Sequence, residues 1–355
     1  MRAAVLSLLA AIMLNTHAAD LTEFLGRLQS DTGATRAEAV AQAGPLGASA
    51  VVPLGELASA NKGNASIAAL WALRNIAVYA GRPGGTLSEK QAVADAFTLL
   101  LESKYNKVTR CQALDLLSIT GDDRTVPKVA ALLADPDADI ADEARRGLEG
   151  TPGTGALQAL IDALPKAQGR LKLAVINALG QRGDLKACDA LAPVTAAADT
   201  ETALAALEAL ARIGLPAADR DRITLPNPDN LTESQRLRVA NLLLRWADRR
   251  AAAGANDEAA EGYGLAVRVS SAEHVVCAAL LGAAKAAPEE TTEHALRALG
   301  HEQNSVRVTA ARVLEAAGPD DNRIKALLNA YPAAKPETRD LILRVLKTWN
   351  DRPER

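Results

Sequence analysis

The stretch LKLAVINALGQRGD, residues 171–184, carries an apolar residue at nearly every position a helix would bury and then stops at Gly183-Asp184. Alone it describes one amphipathic helix. Its landmarks recur, however. With Leu179 as origin, Leu148 in DEARRGLEG lies 31 residues earlier, Leu117 in CQALDLLSITGD another 31 back, and Leu210 in ALAALEALARIG 31 forward. Leu73 precedes Leu117 by 44, one period plus 13 extra residues, and Ala43 precedes Leu73 by 30. Ala283, Leu314 and Leu346 continue the series at steps of 31 and 32. A fixed period of this size marks a repeat architecture.

The aligned columns explain the period. Four residues before each anchor stand Ala69, Ala113, Ala144, Val175, Ala206, Ala279, Ala310 and Ile342, mostly small residues that let helices approach closely. Three before, Leu70, Leu114, Ile176, Leu207, Leu280 and Leu343 are expected to supply larger buried side chains on the same face. Four after come Gly121, Gly183, Gly214 and Gly318, where a left-handed residue is expected to end the helix. The same step links Val126, Leu157 and Cys188, and also Val129, Leu160 and Leu191, so each of these helices follows another. The unit is a helical hairpin, and the fold class is all-α: a right-handed α-α superhelix, or solenoid, of stacked hairpins.

Hairpins of this length with the pattern KLAVINALGQRGD resemble HEAT repeats, in particular the short HEAT-like class, over most of residues 34–215 and 270–350. The family carries Val-Arg at the start of its second helix. Val306-Arg307 matches fully, Leu171-Lys172, Thr109-Arg110 and Thr338-Arg339 match in part, and Ile140-Ala141 and Thr202-Ala203 lack the basic residue.

Two segments break the pattern. Residues 215–231, LPAADRDRITLPNPDNL, hold three prolines and no helical period, and read as a linker. Thr232-x-x-Gln235 then fits a capping box, followed by Val239, Leu242, Leu243 and Trp246 at helical spacing and by Ala259, Tyr263 and Ala266 in a second helix. This pair, 232–269, is either a divergent HEAT-like hairpin or one that looks like a tetratricopeptide unit. The other break, AGRPGGTLSEKQA at residues 80–92, reads as a solvated loop or as an insertion on a binding face.

The N-terminus, MRAAVLSLLAAIMLNTHAAD, places Arg2 before an uncharged apolar run and then Thr16-His17-Ala18, the pattern of a secretory signal cleaved after Ala18. The run of twelve, Ala3 to Leu14, is shorter than the roughly 20 apolar residues of a spanning helix. The expected organisation is therefore a signal peptide at 1–18, HEAT-like repeats at 19–214, a linker at 215–231 and further helical repeats at 232–355, in an exported monomer, periplasmic or secreted, with no membrane span. With 40 basic against 43 acidic residues and a formal charge of -3, nothing points to nucleic acid.

No residue pattern declares a chemistry. Cys111 and Cys277 sit six before their anchors beside Ile67, Leu173, Leu204 and Val308, an expected core column, and Cys188 falls in a first-helix column. Neighbouring cysteines are two or more repeats apart, on the order of 20 Å at the usual helix spacing, so buried unpaired thiols are expected. His274, His294 and His301 adjoin Glu273, Glu293 and Glu302, but adjacent helix residues do not share a face. Paired His-x-x-x-His and Cys-x-x-Cys signatures, phosphate loops, nucleophile elbows and calcium loops are lacking, so no cofactor, no metal and no catalytic residue is assigned.

What remains is the surface that stacking creates. The column two before each anchor, Trp71, Asp115, Arg146, Asn177, Glu208, Arg312 and Arg344, should face the concave side if second helices line it, and Arg74 and Asn75 flank Trp71. Trp71 with Arg74 and Asn75 has the chemistry of a binding hot spot if it points outward; turned inward beside Leu70 it would be core. The expectation is an exported, non-catalytic scaffold that binds a protein or peptide through these residues. The second reading is an enzyme or enzyme subunit of the HEAT-like lyase type, which requires polar groups converging from several helices, and the third is a structural cell-envelope protein.

Overall fold

The structure is a computed structural model, and it describes residues 20–214 and 222–351. The expected signal peptide and the first part of the expected linker lie outside the described residues. Every regular element among the described residues is helical. In chain order they are α1 (20–28), α2 (Gly33–Ala41), α3 (Ala48–Ser59), α4 (Asn64–Ala80), α5 (Leu87–Leu99), α6 (Lys107–Thr120), α7 (Val126–Ala131), α8 (Ala138–Gly150), α9 (Thr154–Ala163) and α10 (Gly169–Arg182). They continue as α11 (Cys188–Leu191), α12 (Thr200–Ile213), α13 (Glu233–Ala252), α14 (Asn256–Val269), α15 (Glu273–Ala286), α16 (Pro288–Ala298), α17 (Asn304–Ala317), α18 (Asp321–Ala330) and α19 (Pro336–Asn350). No described helix is long and apolar enough to cross a membrane.

The chain forms two compact units, Met1–Ala190 and Leu191–Arg355. In the first, the helices that carry the anchors stack in sequence, α4 on α6, α6 on α8 and α8 on α10. In the second, α15 packs on α17 and α17 on α19. Leu73, Leu117, Leu148, Leu179, Leu210 and Leu314 are at most 1% exposed. The fold is all-α and built of neighbouring helix pairs, as the period requires.

Local chemistry sets the helix starts. The side chains of Thr86, Asn106 and Asp199 accept hydrogen bonds from the backbone N–H three residues on, which satisfies one of the donors a helix start leaves open. Thr232 and Gln235 complete a capping box: the Gln235 N–H donates to Thr232 Oγ1 at 3.3 Å, and the Thr232 N–H donates to Gln235 Oε1 at 3.0 Å. The arginine at the start of the second helix holds the turn before it. Arg110 donates to the Leu101 carbonyl at 3.0 Å, Arg307 to the His301 and Glu302 carbonyls at 2.8 and 2.6 Å, and Arg339 to the Pro332 carbonyl at 2.7 Å.

The structure corrects several column expectations. Leu343, three before its anchor, is 50% exposed; in the column six before, Ile67 is 54% exposed and Cys111 and Cys277 are half-buried while Leu204 is fully buried, so that column runs along the margin of the core for most of its length. Cys188 is buried, and all three thiols are free. Burial, then the charge of Glu143, pushes the Cys111 thiol above its ordinary range. Of the terminal glycines, Gly183 (φ 69°) and Gly214 (φ 89°) are left-handed, but Gly121 is extended at φ -65°. Gly121 is required by space instead: a Cβ there would lie 2.5 Å from the Leu117 carbonyl and 2.9 Å from Thr125 Oγ1. The segment 80–92 is mostly not a loop, because α5 begins at Leu87; Arg82 stacks on Tyr79 and pairs with Glu89 at 3.2 Å. In the second unit, Ile223–Asn227 is irregular, Pro228–Asn230 forms one 3-10 turn, and Leu231 is buried in the core formed by α12 to α15.

Candidate functional site

The sequence-derived surface residues are placed as follows. Trp71 is 57% exposed on α4, with exposed Ile67 and Val78 on the same helical face, so of its two alternatives the structure has the outward one. Arg74 beside it reaches Asp115 on α6 at 3.5 Å, which brings those two column positions together. Asn75 is engaged in packing, its amide donating to the Val40 carbonyl at 2.7 Å. Arg146 pairs with Asp142 and Glu143 of its own helix at 3.3 Å. In the second unit Glu208 accepts from Arg238 at 2.9 Å. Asn177 and Arg312 are exposed.

The concave chemistry lies elsewhere, in a cavity of ≈ 600 Å³ bounded by α14, α15 and α16 of the second unit. Each helix gives it one face. On α14 the lining residues are Asp257, Ala260, Glu261, Tyr263, Gly264, Val267 and Arg268, on α15 Val276, Ala279, Leu280 and Ala283, and on α16 Thr291, His294, Arg297 and Ala298, with His301 just beyond it. Positions such as 257, 260, 261, 264 and 268 fall on one side of a 3.6-residue helix, and so do 291, 294, 298 and 301. Alanine and glycine at the contact positions keep side-chain volume low, so the three helices pack and still leave a hollow.

Tyr263 shapes the inner wall. It is 3% exposed, its hydroxyl donates to Asp248 Oδ1 at 2.6 Å, and its ring lies over Gly282. A Cβ at Gly282 would overlap Tyr263 Cζ and Cε1 and would stand 2.6 Å from Oη, so the glycine is what admits the ring. Burial, together with the Asp248 hydrogen bond and charge, holds the phenol above its ordinary range, so it is a neutral donor at physiological pH.

The two histidines are oriented by groups outside the imidazole. The Gln303 backbone N–H donates to His301 Nδ1 at 3.2 Å, and Arg307 holds the His301 carbonyl. A nitrogen that accepts a hydrogen bond carries no proton, so the neutral His301 ring has its N–H at Nε2. Arg297 Nη2 lies 3.1 Å from His294 Nδ1; guanidinium can only donate, which fixes the same tautomer there. Arg297 thereby orients an imidazole that lines the cavity with it. His274 is exposed and does not contribute. Among the described residues no three His, Cys, Asp or Glu side chains converge as a metal site.

A second cavity of ≈ 460 Å³, between α12, α13 and α14, is lined by Leu207, Leu210, Val239, Leu242, Trp246 and other apolar residues, with no titratable group. It offers burial without chemistry.

No family model matches the chain, and no curated protein matches it. The solved structures that match include human deoxyhypusine hydroxylase in complex with glycerol, at 18% identity and a TM-score of 0.34, over 74% of this chain and 98% of that one. At those values the likeness carries no argument about this chain's fold or activity. The expectation of a non-catalytic scaffold binding a partner along its concave face is corrected by the cavity, where polar groups from several helices converge as the enzyme reading requires, and that reading is the one carried forward.

Sequence reasoning missed this site because it compared each histidine with its chain neighbours. A readable signal existed in the helical spacing: His294, Arg297 and His301 at steps of three and four, the first two on α16 and the third just beyond it, and Glu261 and Arg268 seven apart on α14.

Proposed function

We propose that the chain is an enzyme with HEAT-like repeats, whose substrate binds between α14, α15 and α16. His301 is the proton-transferring group, with Nε2 turned over to chemistry because Nδ1 is held by backbone, and His294 is a second candidate beside it. The observation that carries this reading is the convergence in one cavity of two tautomer-fixed imidazoles, two arginines and two carboxylates from separate helices. Convergence of acid, base and charge in a hollow of this size is the usual physical basis of acid–base catalysis on a small molecule. The reaction class supported best is proton transfer, as in an elimination or isomerisation, because the groups available donate and accept protons.

Incubation of the purified protein with a mixed small-molecule extract, followed by mass spectrometry, tests it. At least one compound should be consumed by the wild type and spared by His301→Gln. Turnover that is equal in both proteins, or none at all, refutes the catalytic assignment. The N-terminal pattern supports a further proposal, that the protein acts after export; the mass of the mature protein should then begin at residue 19.

A further inference from the structure

The cavity combines an apolar base with two cations that have no anionic partner among the described residues. Val276, Ala279 and Leu280 of α15 are buried beneath it, and Val267 adds an apolar edge that is 38% exposed. Arg268 lies in the last turn of α14 and Arg297 in the last turn of α16. Among the described residues no carboxylate pairs with either one; Arg297 binds only the His294 ring and, at 3.4 Å, the Glu293 carbonyl. Other arginines of this chain are held by carboxylates, as with Arg110 and Asp135 at 2.7 Å or Arg344 and Glu315 at 2.7 Å. A stabilising role at the helix C-termini accounts for the sign of these charges. It does not account for two guanidinium groups lining one hollow over an apolar base.

From this we infer that the cavity takes a small amphipathic anion, a carboxylate or phosphate head on a hydrocarbon body. The inference rests on the reading of the cavity as a substrate site. Arg268 and Arg297 hold the head, since guanidinium forms paired charge-assisted hydrogen bonds to carboxylate and phosphate oxygens. The body covers Val276, Leu280 and Ala283, where water gains little. Direction follows from the acidic residues. Asp257 stands in the first turn of α14, eleven residues before Arg268, which is about 16 Å along a helix. Asp257 and Glu261 repel an anionic head, which leaves Arg268 and Arg297 as the groups that hold it. A head that is cationic is repelled by the two arginines and drawn instead to Asp257 and Glu261, so it gains nothing from the paired guanidinium groups.

Titration calorimetry with decanoate and decyl phosphate, against decanol and decyltrimethylammonium as controls, tests the assignment on the full chain. One site per chain should bind at least one of the two anions more tightly than decanol, and which anion binds better identifies the natural head group. Arg268→Gln with Arg297→Gln should weaken anion binding by about tenfold or more, the loss expected for a charged hydrogen bond, and leave decanol unchanged. Should the double variant fail to fold, Arg268→Gln alone serves, because its side chain is exposed and unpaired among the described residues. Equal affinity for decanoate, decyl phosphate and decanol, tighter binding of the cation, or anion affinity indifferent to both arginine variants overturns the inference. The outcomes separate from those of the catalytic proposal. Arginine-dependent anion binding without turnover of any compound retains the ligand class and removes catalysis; His301-dependent turnover of neutral compounds with no anion binding does the reverse.

Discussion

Gly282 sets the width of the inner wall, and replacing it with alanine forces a choice between helix packing and Tyr263. In an exposed helix interior, glycine to alanine is stabilising by roughly 0.5–1 kcal/mol. At position 282 the added methyl overlaps Tyr263 Cζ and Cε1. Overpacking of a filled site costs roughly 1–3 kcal/mol, and displacing the ring also breaks the 2.6 Å bond from Tyr263 to Asp248. Asp248 is exposed and rehydrates, so that loss is near the lower end, about 0.5–1.5 kcal/mol. The balance is a destabilisation of about 1–3 kcal/mol, with the steric term deciding the sign. Urea unfolding followed by far-ultraviolet circular dichroism should register it, alongside Tyr263→Ala and the double variant. With the ring gone, Gly282→Ala should become stabilising by about 0.5–1 kcal/mol, because only the helix propensity remains. A stabilising Gly282→Ala in the presence of Tyr263 would refute the contact and with it the shape of the wall.

Three further outcomes are expected. Gly183→Ala should destabilise by about 1–2 kcal/mol, the cost of a left-handed residue bearing a Cβ, since φ is 69° and no atom lies within 4 Å to clash; equal stability in urea would show that the backbone there relaxes freely. Thiol titration under denaturing, non-reducing conditions should find three free cysteines per chain, and fewer would contradict the unpaired positions. Arg238, then Gln235, holds the Glu201 carboxyl below its usual range, so its stabilisation is present above the ordinary glutamate pKa and lost as pH falls through the lowered folded value. Arg238→Gln should therefore lose stability at neutral pH, by no more than about 1 kcal/mol for so exposed a pair, and its deficit against the wild type should shrink in acid; a deficit that widens in acid would reverse the sign of the linkage.

The repeat was legible because its information is local. LKLAVINALGQRGD and its aligned copies specify which residues face inward, and capping chemistry at Thr86, Asn106, Asp199 and Thr232 sets the helix starts with atoms three residues apart. Columns at the edge of the buried stripe were less readable. Ile67 and Leu343 are apolar yet half exposed, and at a margin the side chain's hydrophobicity no longer tells which neighbour covers it. Gly121 shares its column with Gly183 but differs in backbone, because the following turn, closed through Thr125, dictates an extended residue.

The sequence by itself determined an all-helical chain of paired helices, since a 3.6-residue pattern of apolar and small side chains dictates both the helix and the face it buries. It also determined that the cysteines are too widely spaced to meet. Only the tertiary structure decided that His294 and Arg297 of α16, with His301 just beyond it, share a cavity with Asp257, Glu261 and Arg268 of α14 over an apolar base. Helical period fixes the side of its own helix on which a residue stands. Whether that side meets a neighbour or a hollow depends on how far apart the helices are held, and here Tyr263 seated over Gly282 helps set that distance.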